Sequence, residues 1–166
     1  MKLFIDQLFT NTDVERFADT YFSEEFNNAV ARHIGLKERR LVEEEPAGAN
    51  KVRRRVRMVP AVELPKPVKK LIGDHEISYD EVSVYDAEKH EVDYHIESGA
   101  QDRVQVRGVI RFVPHKEGVR RVIDGEVEVK VFGLGGLIER LIESEVQKGY
   151  EKIGAFMQRW LDEHAA

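Results

Sequence analysis

Gly133 and Gly135 stand between an alternating run and a helical one in the stretch VEVKVFGLGGLIERLIE, residues 127–143. A strand, a glycine-rich turn and a helix N-terminus are the parts of a phosphate cradle, in which backbone N–H groups and the helix dipole hold anionic oxygens. The spacing excludes the familiar forms. A dinucleotide fingerprint needs a third glycine where Ile138 stands, and a P-loop needs Gly-Lys-Ser/Thr where Ile138, Glu139 and Arg140 stand. No strand follows the helix, so there is no βαβ unit to set a ligand at strand ends. The glycines read instead as a sharp reversal that lays the helix across the preceding sheet.

Acid–base chemistry and anion binding need charges that face inward, and two positions fit. Arg54 falls between Val52 and Val56 on the apolar parity of KVRRRVRM, and Glu145 falls between Leu141 and Gly149 on a helical stripe. A buried arginine needs a carboxylate or a ligand anion, because unpaired burial is costly. Its candidate partners are Glu44, Glu145 and a ligand. With Tyr79 and Tyr94 these charges could polarise a carbonyl, Glu145 acting as base once burial raises its carboxyl.

Other chemistries lack their residues. In HEVDYH, a strand puts Glu91, Asp93 and His95 on the outer face and His90 at a turn, which does not assemble a metal site. There is no G-x-S-x-G, no H-E-x-x-H and no nucleophile beside a histidine. The absence of cysteine excludes disulfides, thiol catalysis and thiolate metal ligation.

With 166 residues, 42% hydrophobic and 34% charged, the chain reads as one domain covering residues 1–166. Its formal net charge of -5 argues against a nucleic-acid partner, since neutralising phosphates needs a basic excess. MKLFIDQLFTN breaks its apolar run at Asp6 and Gln7, which fits neither a signal peptide nor a membrane span of ~20 residues. The expected location is the cytoplasm.

Periodicity then orders the elements. KLFIDQLFT reads as a first strand, ended by the polar TNTD turn. Thr12 and Glu15 form a capping box for a helix with Val14, Phe17, Ala18 and Tyr21 on one face; Ser23 opens a second helix that Gly35 stops. From Leu36 to Phe132 the period falls to two, with turns at PAGAN, DAEKH, SGAQ and PHKEG, as in an antiparallel meander. Helical spacing returns from Leu137 to Leu161, roughly 25 residues and so ~37 Å.

Centring the SGAQ turn on Ala100 pairs Glu97 with Arg103 and Asp93 with Arg107, and the next hairpin sets Arg107 against Glu128 and Arg111 against Asp124. Such pairs contribute ~0.2–1 kcal/mol each and make the arginine-rich strands a solvated, ion-paired outer face. By the same parity the inner face carries Val52, Arg54, Val56 and Met58, then Val92, Tyr94 and Ile96. Val104, Val106, Gly108, Ile110 and Phe112 follow, and then Ile123, Val127, Val129 and Val131.

This order resembles the START-like, or SRPBCC, superfamily. VELPKPVKKLIG and VFGLGGLIERLIESEVQKGYEKIGAFMQRWL are similar to a bacterial group in it, with Leu-Pro before a short basic segment and a glycine turn into a Glu-rich last helix. The resemblance implies an α+β helix-grip fold: a curved seven-stranded antiparallel sheet, two short helices after strand 1, and a long C-terminal helix over the concave face. It also implies a cavity between sheet and helix, where a carrier or sensor binds a lipid, a sterol-like metabolite or another hydrophobic small molecule without a cofactor. The expected lining is Arg54, Val56, Met58, Tyr79, Tyr94, Ile96, Val106, Ile110, Phe112, Val127 and Val129 from the sheet, with Leu141, Glu145, Gly149 and Ile153 from the helix. A polyketide cyclase or isomerase using Tyr79, Tyr94, Arg54 and Glu145 is the alternative, and a filled core without ligand is the third.

One segment stands outside the alternation. ELPKPVKKLIG sets Leu64, Val68, Leu71 and Ile72 beside Lys66, Lys69 and Lys70, and its prolines favour an irregular excursion with a helical turn. It reads either as a lid whose lysines assist transient contact with a membrane surface or as a loop that plugs one end of the core.

Overall fold

In the computed structural model, which describes residues 1–72, 76–100 and 102–165, the first strand, β1, spans Lys2–Thr10. Helices α1 (Val14–Phe22) and α2 (Glu24–Ile34) follow it. The Asp13 carboxylate accepts the Arg16 backbone N–H at 2.9 Å, so the cap lies one residue beyond the expected Thr12. Ser23 caps α2 as expected, its hydroxyl accepting from the Phe26 N–H at 3.2 Å, and Gly35 ends that helix at φ 74°.

The meander comprises β2 (Glu38–Gly48), β3 (Lys51–Val59), β4 (Tyr79–Asp86), β5 (Glu91–Ser98), β6 (Val104–His115) and β7 (Gly118–Val129), with α3 (Lys66–Ile72) interposed after β3. Seven antiparallel strands form one sheet in the order β1-β7-β6-β5-β4-β3-β2. Gly133, at φ 74°, makes the reversal, and α4 runs from Gly135 to Glu163, 29 residues. No helix of the described residues is long and apolar enough to cross a membrane.

The ladders differ from the expected register by two residues. Asp93 lies opposite Val109 and His95 opposite Arg107, while Arg107 faces Glu126 and Arg111 faces Val122. His115 pairs with Gly118, so this hairpin turns over Lys116 and Glu117 alone, and the tighter loop shifts the whole pair. A shift of two leaves every side chain on its face. The charges still meet, by other partners: Arg111 reaches Asp124 at 2.7 Å, Arg107 reaches Glu126 at 3.1 Å, and Glu97 is taken by Arg55 at 2.7 Å instead of Arg103.

The packed core occupies one end of the inner face. Phe17 lies 5.0 Å, ring to ring, from both Phe9 and Phe112, and Val119, Ile123, Met157 and Leu161 are fully buried around them. There α1 rests on β6 and β7, and α4 on β1, β7 and α2. This is an α+β helix-grip fold, an open antiparallel sheet with a long C-terminal helix and short helices beside it.

Candidate functional site

The inner face divides along its strands. Ile110, Phe112 and Val127 are buried, while Met58, Tyr79, Ile96, Val106 and Val129, on the same face, stay half-buried. Leu141, Ile142, Val146, Gly149 and Ile153 of α4 are likewise half-buried. No contact of α4 with β3, β4 or β5 matches those it makes with β1 and β7 among the described residues. Of the half-buried residues, Val106 and Ile153 pack against the buried core.

One row crosses the whole sheet on this face. Leu3, Gly125, Gly108, Tyr94, Ser83, Arg54 and Glu44 are successive register partners from β1 to β2. The two glycines leave room for the Tyr94 side chain to lie across β6 and β7; a Cβ on Gly108 would sit 2.8 Å from the Tyr94 hydroxyl.

Strand β4 reverses the usual pattern of apolar residues inside. Val82 pairs with Arg55 and His95 on the outer face, whereas Ser83 pairs with Arg54 and Tyr94 on the inner one, so Tyr79, Glu81 and Tyr85 also face inward. Burial pushes the Glu81 carboxyl up, and the Arg39 charge offsets this only in part. The Glu81 charge in turn reaches Tyr21, Tyr79, Tyr94 and Tyr150. Burial is the larger cause at each hydroxyl, raising Tyr79 and Tyr94 to about 12 and Tyr21 and Tyr150 further. All of these tyrosines stay protonated at neutral pH and can donate hydrogen bonds.

A second charge lies deeper. Arg121, between the buried Val119 and Ile123 on β7, is 1% exposed, and its Nε has no hydrogen-bond partner. Its Nη2 donates to Gln7 Oε1, and its guanidinium carbon lies 5.2 Å from the Phe9 ring centre and 5.1 Å from that of Tyr150. Burial pulls its pKa down. Gln7 also donates to the Tyr150 carbonyl at 3.0 Å, which ties β1 to α4. Gly154 permits this, since a Cβ there would come 2.6 Å from Gln7 Nε2.

Several expected lining residues sit elsewhere than expected. Glu145 is exposed and lies 3.8 Å from Lys148, so it is not the inward base. The inward row of α4 runs in steps of four from Ile138 through Tyr150 to Gly154, and each such step turns ~40° around the helix. Glu145 falls on the flank of that row, beside Leu141. Gly149 has open space around it, and the close approach expected there occurs at Gly154. Arg54 pairs with Glu44 at 2.8 Å and covers the Phe22 ring at 4.2 Å. It lines a side hollow of about 660 Å³ with Ala18, Leu41 and Tyr85. Val56, Tyr94, Ile110, Phe112 and Val127 belong to the buried wall.

In the basic segment Val68 is 2% exposed while Lys66, Lys69 and Lys70 are exposed and Leu64 is half-buried. The Leu71 and Ile72 side chains lie outside the described residues. A shallow hollow of about 1010 Å³ also crosses the outer face, walled by Phe4, Arg53, Asp93, His95 and Arg107 among others. Arg53, His95 and Arg107 there are each paired, with Glu45, Glu97 and Glu126. Among the described residues no group of three metal-binding side chains occurs.

Sequence reasoning missed Glu81, Arg121, Tyr21, Tyr150 and Gln7. The signal for Glu81 was present in YDEVSVYD, where the parity of Tyr79 and Tyr85 includes it. Arg121 stood on the parity of Ile123 and Val127.

The family described as "Protein of unknown function (DUF2505)" matches residues 7–161. The chain belongs to that family. No match is found among curated proteins. Solved structures of similar fold include a protein of Thermus thermophilus, 17% identical, with 100% of each chain covered and a TM-score of 0.71. The Zhui aromatase/cyclase of a Streptomyces species is 9% identical, with 100% of this chain and 97% of that one covered and a TM-score of 0.70. Norcoclaurine synthase of Thalictrum flavum, in complex with dopamine and hydroxybenzaldehyde, is 15% identical, with 100% and 90% covered and a TM-score of 0.64. At these identities the likeness is one of fold.

Proposed function

We propose that this chain binds a hydrophobic small molecule in the chamber between the sheet and α4, as a carrier or sensor of the START-like kind. The observation that carries the proposal is the half-burial of the apolar Met58, Ile96, Val106 and Val129 on the sheet and of Ile142 on α4. An apolar guest that covers them gains ~25 cal/mol per Å² withdrawn from water, and the chain itself leaves that gain unused. Two neighbours in fold support it, one an aromatase/cyclase and one holding small aromatic molecules. The exposed lysines of α3 beside the buried Val68 fit a lid that touches anionic lipid, each lysine worth ~1 kcal/mol there. Native mass spectrometry of the purified protein, followed by solvent extraction, tests the proposal together with titration by the neutral dye Nile red. A co-purified apolar molecule and saturable dye binding are expected; no mass shift and no dye binding would end it.

One observation favours a second role. Glu81, its carboxyl raised by burial, lies on the same sheet face as the protonated Tyr79 and Tyr94. A base and two hydroxyl donors in one apolar space can move a proton beside a polarised carbonyl, which is the chemistry of a cyclase or isomerase. Turnover of an unsaturated polyketide-like substrate, lost in Glu81→Gln, would establish it; binding of such substrates without turnover would leave the carrier role alone.

A further inference from the structure

The sheet is open, and its two edges are built differently. On β2 the edge is guarded: Glu43, Glu44, Glu45 and Pro46 follow one another, and the register slips between Leu41 and Glu43 and again between Pro46 and Gly48. Charges, proline and bulges keep an edge from pairing with another chain. On β1 there is neither proline nor slip. Lys2–Thr10 pair with β7 residue for residue, and Phe4 and Leu8 stand 60% and 43% exposed along the strand.

The backbone of β1 is open on the same side of the sheet. The Met1 amine donates to the Val127 carbonyl at 2.7 Å, and the Val127 N–H donates to the Met1 carbonyl at 2.9 Å. Bonded pairs alternate along an antiparallel ladder. Leu3, Ile5, Gln7 and Phe9 therefore turn their backbone groups to β7, and Lys2, Phe4, Asp6, Leu8 and Thr10 turn theirs outward. Thr10 bears out this phase, since the Gln158 side chain takes both its N–H, at 2.9 Å, and its carbonyl, at 3.0 Å. Among the described residues nothing takes those of Lys2, Phe4, Asp6 or Leu8. The exposed apolar side chains thus belong to residues whose ladder groups are free.

We infer that β1 pairs with β1 of a second copy of this chain, antiparallel about a two-fold axis at Phe4, so that two sheets join edge to edge. The charges select this register. Lys2, whose side chain is 83% exposed, then faces the partner's Asp6, and Asp6 faces the partner's Lys2, with the two Phe4 rings between them on the outer face. On the inner face Leu3 meets the partner's Ile5. An axis at Ile5 would set each Phe4 against the partner's Asp6. An axis at Asp6 would put two carboxylates together and bring the partner's Lys2 to the place beside Thr10 that Gln158 fills.

Sedimentation equilibrium over a range of protein concentrations tests the pairing. The mass of wild type should rise toward twice that of the monomer. Phe4→Lys, which sets like charges face to face, should raise the dimer's dissociation constant at least about ten-fold. Its melting temperature in dilute solution should stay that of wild type, because Phe4 is exposed within its own chain. The chain has no cysteine, so introduced thiols report the register alone. Phe4→Cys should cross-link to itself on mild oxidation, since bonded partners lie ~5.5 Å apart between Cα atoms, within the span of a disulfide. Lys2→Cys should not, its counterpart lying four residues along the seam, ~13 Å away, but it should cross-link when mixed with Asp6→Cys.

A wild type that stays monomeric at every concentration would overturn pairing with a second copy and leave the edge to a strand of another protein. A dimer that Phe4→Lys does not weaken would move the interface off β1. Self-cross-linking of Lys2→Cys would refute the axis at Phe4.

Discussion

Tyr94 lies against Gly108, its register partner on β6, so closely that a Cβ on Gly108 would stand 2.8 Å from the Tyr94 hydroxyl. The same Cβ would be 2.5 Å from the backbone oxygen of Asp124, which cannot swing away as a side-chain end can. Gly108→Ala should therefore destabilise the fold by about 1–3 kcal/mol. Gly125→Ala meets the Tyr94 hydroxyl at 3.0 Å and Leu3 Cβ at 3.5 Å, and should cost less. Urea unfolding of both variants checks the order; an equal or reversed cost would show that Tyr94 is not seated as described.

Glu81 makes stability depend on pH in a direction that can be worked out. Its folded carboxyl titrates above the ordinary 4.5, so above that pH the folded chain binds more protons there than the unfolded one. The penalty is absent below about 4.5, grows as pH rises toward the folded value, and is constant above it. Glu81→Gln should melt at the wild-type temperature near pH 4. At pH 7 it should be more stable by on the order of 1 kcal/mol, roughly 2–4 °C. A difference between the two proteins that does not change with pH would contradict the raised Glu81 carboxyl.

The outer face behaves oppositely. Arg57 first, and Arg55 with it, hydrogen-bond Asp80 and hold its carboxyl below the usual range. The group is nonetheless covered, at 7% exposure, by those same side chains. Its contribution is present above pH 3.8 and is lost as pH falls through the lowered folded value. Asp80→Asn should cost about 1–3 kcal/mol at pH 7 and nothing at acid pH once the wild type is protonated. Thermal melts across pH 2–7 would show the two curves converging, and parallel curves would refute the ion pairs.

Gly149 and Gly154 separate folding from binding. Gly154→Leu must displace Gln7 and break its link to Tyr150, so a loss of stability is expected. Gly149→Leu enters open space and should leave the melting temperature nearly unchanged while weakening Nile red binding several-fold, if the chamber is the site. Unaltered dye affinity in Gly149→Leu would move the ligand away from this part of α4.

For the lid role proposed for α3, co-sedimentation with phosphatidylserine-containing and purely zwitterionic vesicles gives a direct measure. Wild type should prefer the anionic vesicles, and the triple change Lys66→Gln, Lys69→Gln and Lys70→Gln should abolish the preference. Equal sedimentation of wild type with both vesicle types would eliminate membrane contact as a role for α3.

Local periodicity in the sequence was enough for the order of elements, the faces of the strands, the Ser23 and Gly35 caps and the glycine reversal before α4. Each depends on neighbours a few residues away, where a period of two or of 3.6 and the conformational range of glycine decide the outcome. Parity even survived the error in register, because a slip of two residues returns every side chain to its own face. Partnership between distant residues was settled only in three dimensions. Arg54 and Glu145 both read as inward charges, yet Arg54 found Glu44 across one ladder and Glu145 fell outside the inward row of α4. Glu81 and Arg121 stand 40 positions apart, and the charges of both act on Tyr21 and Tyr150, two residues on different helices. No spacing in the chain encodes that meeting, because burial and the charges that act through the packed interior are properties of the folded volume.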